Sequence, residues 1–192
     1  MRIISGRFRG RRIDANLPPG VRPTTDGAKE TIFNILFNFI SLEDTLIADI
    51  CAGTGNLGFE ALSRGAKKCV FVDKTRRSCD YIGTVAKQLS LNKHEFEISS
   101  SDAVKFFKEF NDLESKKFDV IFMDPPYKEL LVNPIAANII KNEYLNEGGL
   151  IVAECSIGDG IALIPGYNLV QEKKFGSTKV LFIQRETISL SD

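Results

Sequence analysis

Four consecutive residues, Asp124-Pro125-Pro126-Tyr127, follow the apolar run FDVIFM and combine the groups needed to present an amine to an electrophile. Two prolines fix the backbone and remove two N–H donors. Carbonyl oxygens are left facing the space beyond the strand's C-terminal end, where open α/β sheets hold their ligands. An aromatic amino group is a poor nucleophile because its lone pair is delocalised into the ring. Asp124 and the Pro125 carbonyl can accept its two N–H bonds and favour a pyramidal nitrogen. Tyr127 can stack on the base, a contact worth roughly 1–3 kcal/mol in comparable sites. No strong base is required before attack, since the proton can leave afterwards. The plainer alternative is a Pro-Pro strand terminator under an aromatic lid.

A second constellation lies upstream. TLIADI leads into CAGTGNLGFEAL, where Gly53, Gly55 and Gly58 satisfy G-x-G-x-x-G between a strand and a helix. Glycines there allow a tight turn and close approach of a ligand to the helix N-terminus, which makes Cys51, Ala52, Gly53, Thr54, Gly55 and Gly58 candidate cofactor contacts. Asp73, with Lys74 beside it, lies 20 positions after Gly53 at the end of the next apolar run. A carboxylate there can accept both hydroxyls of an adenosine ribose, so NAD is the first ligand to consider. Asp49 turns the choice toward S-adenosylmethionine: an acid on the strand itself repels a pyrophosphate but suits the ammonium end of a methionine moiety. Asp102, followed by Ala103, can accept a hydrogen bond from an adenine amino group. It can equally cap a helix beginning at Ala103.

The elements that must position these groups are readable from the apolar pattern. TLIADI, CVFVD, EFEISS, FDVIFMD and GLIVAEC are short apolar runs, and helical stretches near 56–64, 76–90, 103–110 and 130–141 separate them. Such alternation predicts a mostly parallel α/β sheet covered on both faces. NLVQEKKFGSTKVLFIQR reads as an antiparallel hairpin around Gly176-Ser177 that completes a Rossmann-like, seven-stranded sheet. Residues 1–25 differ: RIISG, RFRG and RRIDA suggest a small basic β-hairpin, and NLPPGVRPTT a loop. Thr25 or Asp26 then caps a helix carrying Ile32, Phe33, Leu36, Phe37 and Ile40. The expected division is a basic arm over 1–25 and a catalytic domain over 26–192.

The chain has 192 residues, with 25 Lys plus Arg against 25 Asp plus Glu. That length supports one domain with an appendage. No run approaches the roughly 20 apolar residues that span a bilayer, and the N-terminus lacks the apolar core of a secretory signal. Cys51, Cys69, Cys79 and Cys155 show no CxxC spacing, and His94 is the only histidine, in a polar stretch that suits the surface. The expectation is a cytoplasmic protein with reduced thiols and no metal. Zero net charge conceals an asymmetry. Residues 1–30 carry seven basic residues and three acids, so the remainder holds an excess of acids. Arg2, Arg7, Arg9, Arg11 and Arg12, with Phe8 among them, form a candidate phosphate-binding arm. The pairs Arg76/Arg77 and Lys173/Lys174 are weaker candidates for the same role.

Taken together, MRIISGRFRGRRI, RPTTD leading into KETIFNIL, DICAGTGNLGFEALSRGA, VFVDK, DPPY and KKFGSTKVLFI resemble the RsmD family. Its members are bacterial class I methyltransferases acting on the guanine N2 amine of 16S ribosomal RNA. DPPY alone is shared with DNA adenine methyltransferases. The resemblance implies that Asp49 and the Gly53–Gly58 loop hold the methionine end, Asp73 the ribose and Asp102 the adenine. It gives Asp124, Pro125, Pro126 and Tyr127 the target guanine, at position 966 in the usual RNA numbering. Arg22, Thr24 and Asp26 match a segment near the active site, and Arg22 and Thr24 join the candidate RNA contacts. Gly27 stands where relatives usually carry Arg, and Cys51 where a bulky aromatic is common. The expected substrate is RNA within a small-subunit particle or assembly intermediate, and a monomer is the expectation for a small enzyme with a bulky RNA target. Two rival functions remain at this stage: a DNA adenine-N6 methyltransferase, and a non-catalytic NAD- or nucleotide-binding module.

Overall fold

The computed structural model describes residues 1–13, 25–109, 117–125 and 131–187. The strands are β1 Leu46–Ile50, β2 Lys68–Asp73, β3 Phe96–Ser100, β4 Phe118–Met123, β5 Leu145–Ser156, β6 Tyr167–Phe175 and β7 Thr178–Arg185. The helices are α1 Asp26–Leu36, α2 Asn56–Ser63, α3 Arg76–Gln88, α4 Ala103–Glu109 and α5 Val132–Lys141. All seven strands join one sheet in the order β3-β2-β1-β4-β5-β7-β6. Strands β1 to β5 pair in parallel, and β7 runs antiparallel between β5 and β6. The predicted Rossmann-like sheet with its antiparallel terminal hairpin is therefore the observed architecture. Reversal of the strand order beside β1 opens a crevice at the carboxyl ends of β1 and β4, where such sheets bind ligands.

Two cores flank the sheet. One gathers Ile32, Phe33 and Leu36 of α1, Phe59 and Leu62 of α2, and Tyr81, Ile82 and Val85 of α3 against Ile47, Phe71, Phe122 and Val152. The other packs Phe107 of α4 and Ile135 and Ile139 of α5 against Ala48, Ile50, Ile121 and Ile151. Because strand side chains alternate, odd and even positions of each run divide between the cores. This accounts for the unbroken apolar runs. Thr25 caps α1, its hydroxyl accepting from the Ala28 N–H at 3.3 Å.

The N-terminal segment folds back on itself, but over one antiparallel bridge, Arg2 with Arg12, rather than two full strands. A 3-10 turn at Gly6–Phe8 makes the reversal. The reason lies in competition for its backbone donors. Ile4 and Ser5 give their N–H groups to the Glu60 carboxylate of α2, each at 2.9 Å, instead of to a facing strand. Ile3 and Ile13 are buried in the first core, so this segment is packed onto the same face as α1 to α3.

A candidate acid-lined active site

Ile47, Phe71, Phe122 and Val152 all turn toward the first core, and two residues beyond each stands an acid: Asp49, Asp73, Asp124 and Glu154. Period-two alternation thus delivers carboxylates from β1, β2, β4 and β5 toward the same face at neighbouring strand ends. Asp49 is buried and accepts the Gly58 N–H at 2.9 Å. Burial pushes its pKa up to about 8, against the Gly58 bond, with further upward pressure from Asp124 and Asp73. Burial likewise lifts Asp124 to about 7, and Glu154 adds to the shift. No hydrogen bond or ion pair from the described residues reaches the Asp124 carboxyl. Its own N–H donates to Ile50 at 3.3 Å, which ties β4 to the end of β1. Pro125 follows, buried.

The glycine loop is built by left-handed backbone. Cys51, Gly53 and Gly55 have φ of 58°, 54° and 68°. The Gly55 N–H returns to the Ala52 carbonyl at 2.7 Å, and the Ala52 N–H donates to Val72. Thr54 is buried within the loop. Gly58 has a different role. A Cβ there would come within 2.3 Å of the Phe71 ring and 2.7 Å of the Cys69 sulfur, so α2 lies against β2 only because position 58 lacks a side chain. Asp73 accepts the Gly53 N–H and the Thr75 N–H, both at 2.8 Å, and so joins the loop to the start of α3. Lys74 is exposed beside it. Asp102 accepts from the N–H groups of Val104 and Lys105 at 2.9 and 3.1 Å, the capping role foreseen for it, with Ala103 buried behind.

The half-buried Cys51 thiol reports how these groups converge. Burial raises its pKa to about 12, and Asp73, Asp124, Asp102 and Asp49 all push in the same direction. All four acids singled out in the sequence are therefore near enough to act on one loop residue. Carboxylates crowded in this way form a donor set suited to a positively charged ligand or an amine. S-adenosylmethionine, with its ammonium and sulfonium groups, fits that chemistry.

Pro126, Tyr127, Arg22 and Thr24 lie outside the described residues. Of the arm, Arg2, Arg7, Arg9, Arg11 and Arg12 are all exposed. Arg7 pairs with Glu95, and Arg11 donates to the Gln88 carbonyl at 3.2 Å. Both guanidinium groups lie over the Phe8 ring, 4.5 and 5.5 Å from its centroid. Arg76, Arg77, Lys173 and Lys174 are exposed.

Three residues of the junction escaped the sequence reading. Lys29 of α1 is fully buried and donates to the Arg2 carbonyl at 2.6 Å and to Asn56 at 2.8 Å, with Glu60 at 3.2 Å. Glu60 also takes Arg64 at 2.8 Å. This network fastens the N-terminal segment to the helix that follows the glycine loop. A signal was present: Lys29 shares helical spacing with Ile32, Phe33 and Leu36. Glu154 was also missed, though it is the one acid in GLIVAEC.

An α/β sheet of this order, with a glycine loop after β1 and acids along its carboxyl edge, defines a class I methyltransferase, dependent on S-adenosylmethionine. The solved SMU.776 chain, complexed with SAH, shares the fold at TM-score 0.67 and 18% identity, covering 81% of this chain and 48% of that one. Closer likeness identifies the family. Residues 1–184 match the family described as Conserved hypothetical protein 95. Ribosomal RNA small subunit methyltransferase D of Haemophilus influenzae is 32% identical over 92% of this chain and 89% of its own length. The Escherichia coli protein of the same name is 31% identical over 100% and 93%. A solved Escherichia coli chain, yhhF, superimposes with TM-score 0.82 at 30% identity, covering 97% and 98%. The chain belongs to this family, the RsmD methyltransferases.

Proposed function

We propose that this enzyme methylates the exocyclic N2 amine of a guanine in 16S ribosomal RNA, by family likeness guanine 966. The convergence of Asp49, Asp73, Asp102 and Asp124 on the Cys51 loop is the observation that carries the reading. In it, Asp49 and the Gly53–Gly58 loop hold the methionine end of the cofactor, Asp73 the ribose and Asp102 the adenine. When bound, S-adenosylmethionine supplies a methyl group on a positively charged sulfur. Asp124 and the Pro125 carbonyl accept the two N–H bonds of the guanine amine, and Tyr127 stacks on the base. These contacts turn the nitrogen lone pair out of conjugation. As the N–CH3 bond forms and the S–CH3 bond breaks, the nitrogen becomes positive and releases a proton. Asp124, lifted to about 7, is suited to receive it near neutral pH.

A base stacked in a duplex cannot reach this edge, so the target guanine is unpaired or turned out of its helix. The exposed arginines of residues 1–13 bind phosphates around it, and Arg22 and Thr24 add to the RNA contacts. We place the enzyme in the cytoplasm as a monomer, acting on a small-subunit particle or assembly intermediate. The test is transfer of labelled methyl from S-adenosylmethionine to purified small-subunit particles, followed by nucleoside analysis. N2-methylguanosine is the expected product. Label confined to DNA as N6-methyladenine would overturn the reading in favour of the adenine chemistry that DPPY also serves.

A further inference from the structure

Asp124 does not end its sheet edge alone. In the parallel pairing of β4 with β5, Met123 stands opposite Ala153, so the next residues of the two strands, Asp124 and Glu154, are neighbours. Phe122 and Val152, two positions earlier, both enter the first core, which sends Asp124 and Glu154 toward the same face. Glu154 is half-buried, near enough to press on the ionisation of Asp124. Adjacent strands lie about 4.8 Å apart, so two carboxylates on them can converge on neighbouring atoms of one ligand.

We propose that Glu154 accepts a hydrogen bond from the N1–H of the target guanine while Asp124 engages the adjacent N2 amine. This rests on the guanine reading above and supplies its base selectivity. An ionised carboxylate only accepts hydrogen bonds. Guanine offers donors side by side on this edge, at N1 and N2. Adenine offers an amine beside a bare N1 lone pair, which would face the Glu154 oxygens with no proton between them. A buried site whose polar group is left unpaired rejects the wrong ligand far more strongly than a missing apolar contact does. Guanine's two donors also offset the repulsion that Glu154 exerts on the neighbouring Asp124.

2-Aminopurine probes the N1 contact, because it keeps an amine at position 2 and carries a lone pair at N1; the 6-oxygen it also lacks is a difference common to every enzyme compared. Small-subunit particles are rebuilt with RNA bearing either guanine or 2-aminopurine at the mapped target position. The ratio of kcat/KM for the two is then measured for each enzyme. Taking the ratio within one preparation removes the effect of any unfolded fraction. Wild type favours guanine, and Glu154→Gln, whose amide can donate to N1, lowers that preference about tenfold or more. Glu154→Asp, which keeps the charge, retains a preference clearly above that of Glu154→Gln. A ratio in Glu154→Gln equal to the wild-type ratio overturns the proposal while leaving guanine methylation standing. Failure of wild type to methylate guanine in these particles takes down both.

Discussion

Lys29 and Glu60 are fully buried, and Asp49 nearly so, yet the protein treats these charges in opposite ways. Lys29 and Glu60 meet at 3.2 Å, share Arg64, and fill their remaining positions with the Arg2 carbonyl, the Asn56 side chain and the Ile4 and Ser5 amides. Asp49 has the Gly58 amide and otherwise faces Asp124 and Asp73, two more acids. Both groups lie on one face of one sheet, joined by α2. Mutual pairing marks a structural fastening, which holds the N-terminal segment to α1 and α2. Incomplete pairing marks a place where acids are kept for something that arrives. The acid edge is destabilising until a cation or amine occupies it.

The contrast can be broken from either side. The largest effect should come from the satisfied group. Glu60→Ala leaves Lys29 buried beside Arg64 and strips two backbone amides of their acceptor. Removing one partner of a buried pair costs about 3–5 kcal/mol, so thermal unfolding should show a drop on the order of 10 °C. Asp124→Ala should do the reverse. Methyl transfer to small-subunit particles falls by about a hundred- to a thousandfold, as when one positioned transition-state contact is removed. Its melting temperature does not fall, because a desolvated carboxyl without a partner among the described residues has been removed. Loss of stability matching the loss of activity would erase the distinction between the two groups.

Asp49→Asn sharpens the comparison within a single side chain. The amide oxygen still accepts from Gly58, but the charge is gone. Calorimetry should show S-adenosylhomocysteine, which keeps the ammonium group, binding about tenfold or more weakly, while the ligand-free protein melts a few degrees higher at pH 8. The same two acids set a pH dependence. Their folded pKa values, about 8 for Asp49 and about 7 for Asp124, lie above those of an unfolded carboxyl. The folded state therefore holds protons that the unfolded chain has released. Their contribution to stability is fully present below about pH 4 and is lost as pH rises through about 8. Ligand-free melting temperatures should fall across that window, and Asp49→Asn should flatten the fall. The smallest effect concerns the arm. Arg9→Ala and Arg12→Ala should each reduce the salt dependence of RNA binding by about one unit of slope, with S-adenosylhomocysteine affinity unchanged.

Local chemistry was legible in the sequence, and long-range pairing was not. The glycine loop, Asp73 at its strand end and the capping role of Asp102 each announce themselves within a few residues. The strands announce themselves by unbroken apolar runs. Lys29 of α1, Glu60 of α2 and Arg64 just past the end of α2 meet only after folding, and each alone reads as an ordinary charge. Spacing could still have flagged Lys29, since a lysine on the Ile32, Phe33 and Leu36 face must find a buried partner. Glu154 needed the adjacency of β4 and β5, whose pairing joins residues about thirty apart. The N-terminal segment pairs less than its alternation suggests because Glu60, distant in sequence, takes its backbone donors.

The central claim is that the acid edge receives a guanine amine of small-subunit RNA. It is tested most directly by mass mapping of methylated nucleosides in 16S RNA from cells with and without this gene, the deletion complemented by wild type or by Asp124→Ala. The account predicts that one N2-methylguanosine disappears in the deletion, returns with wild type and stays absent with Asp124→Ala. An unchanged pattern of guanine N2 methylation in the deletion, or full restoration by Asp124→Ala, would contradict it.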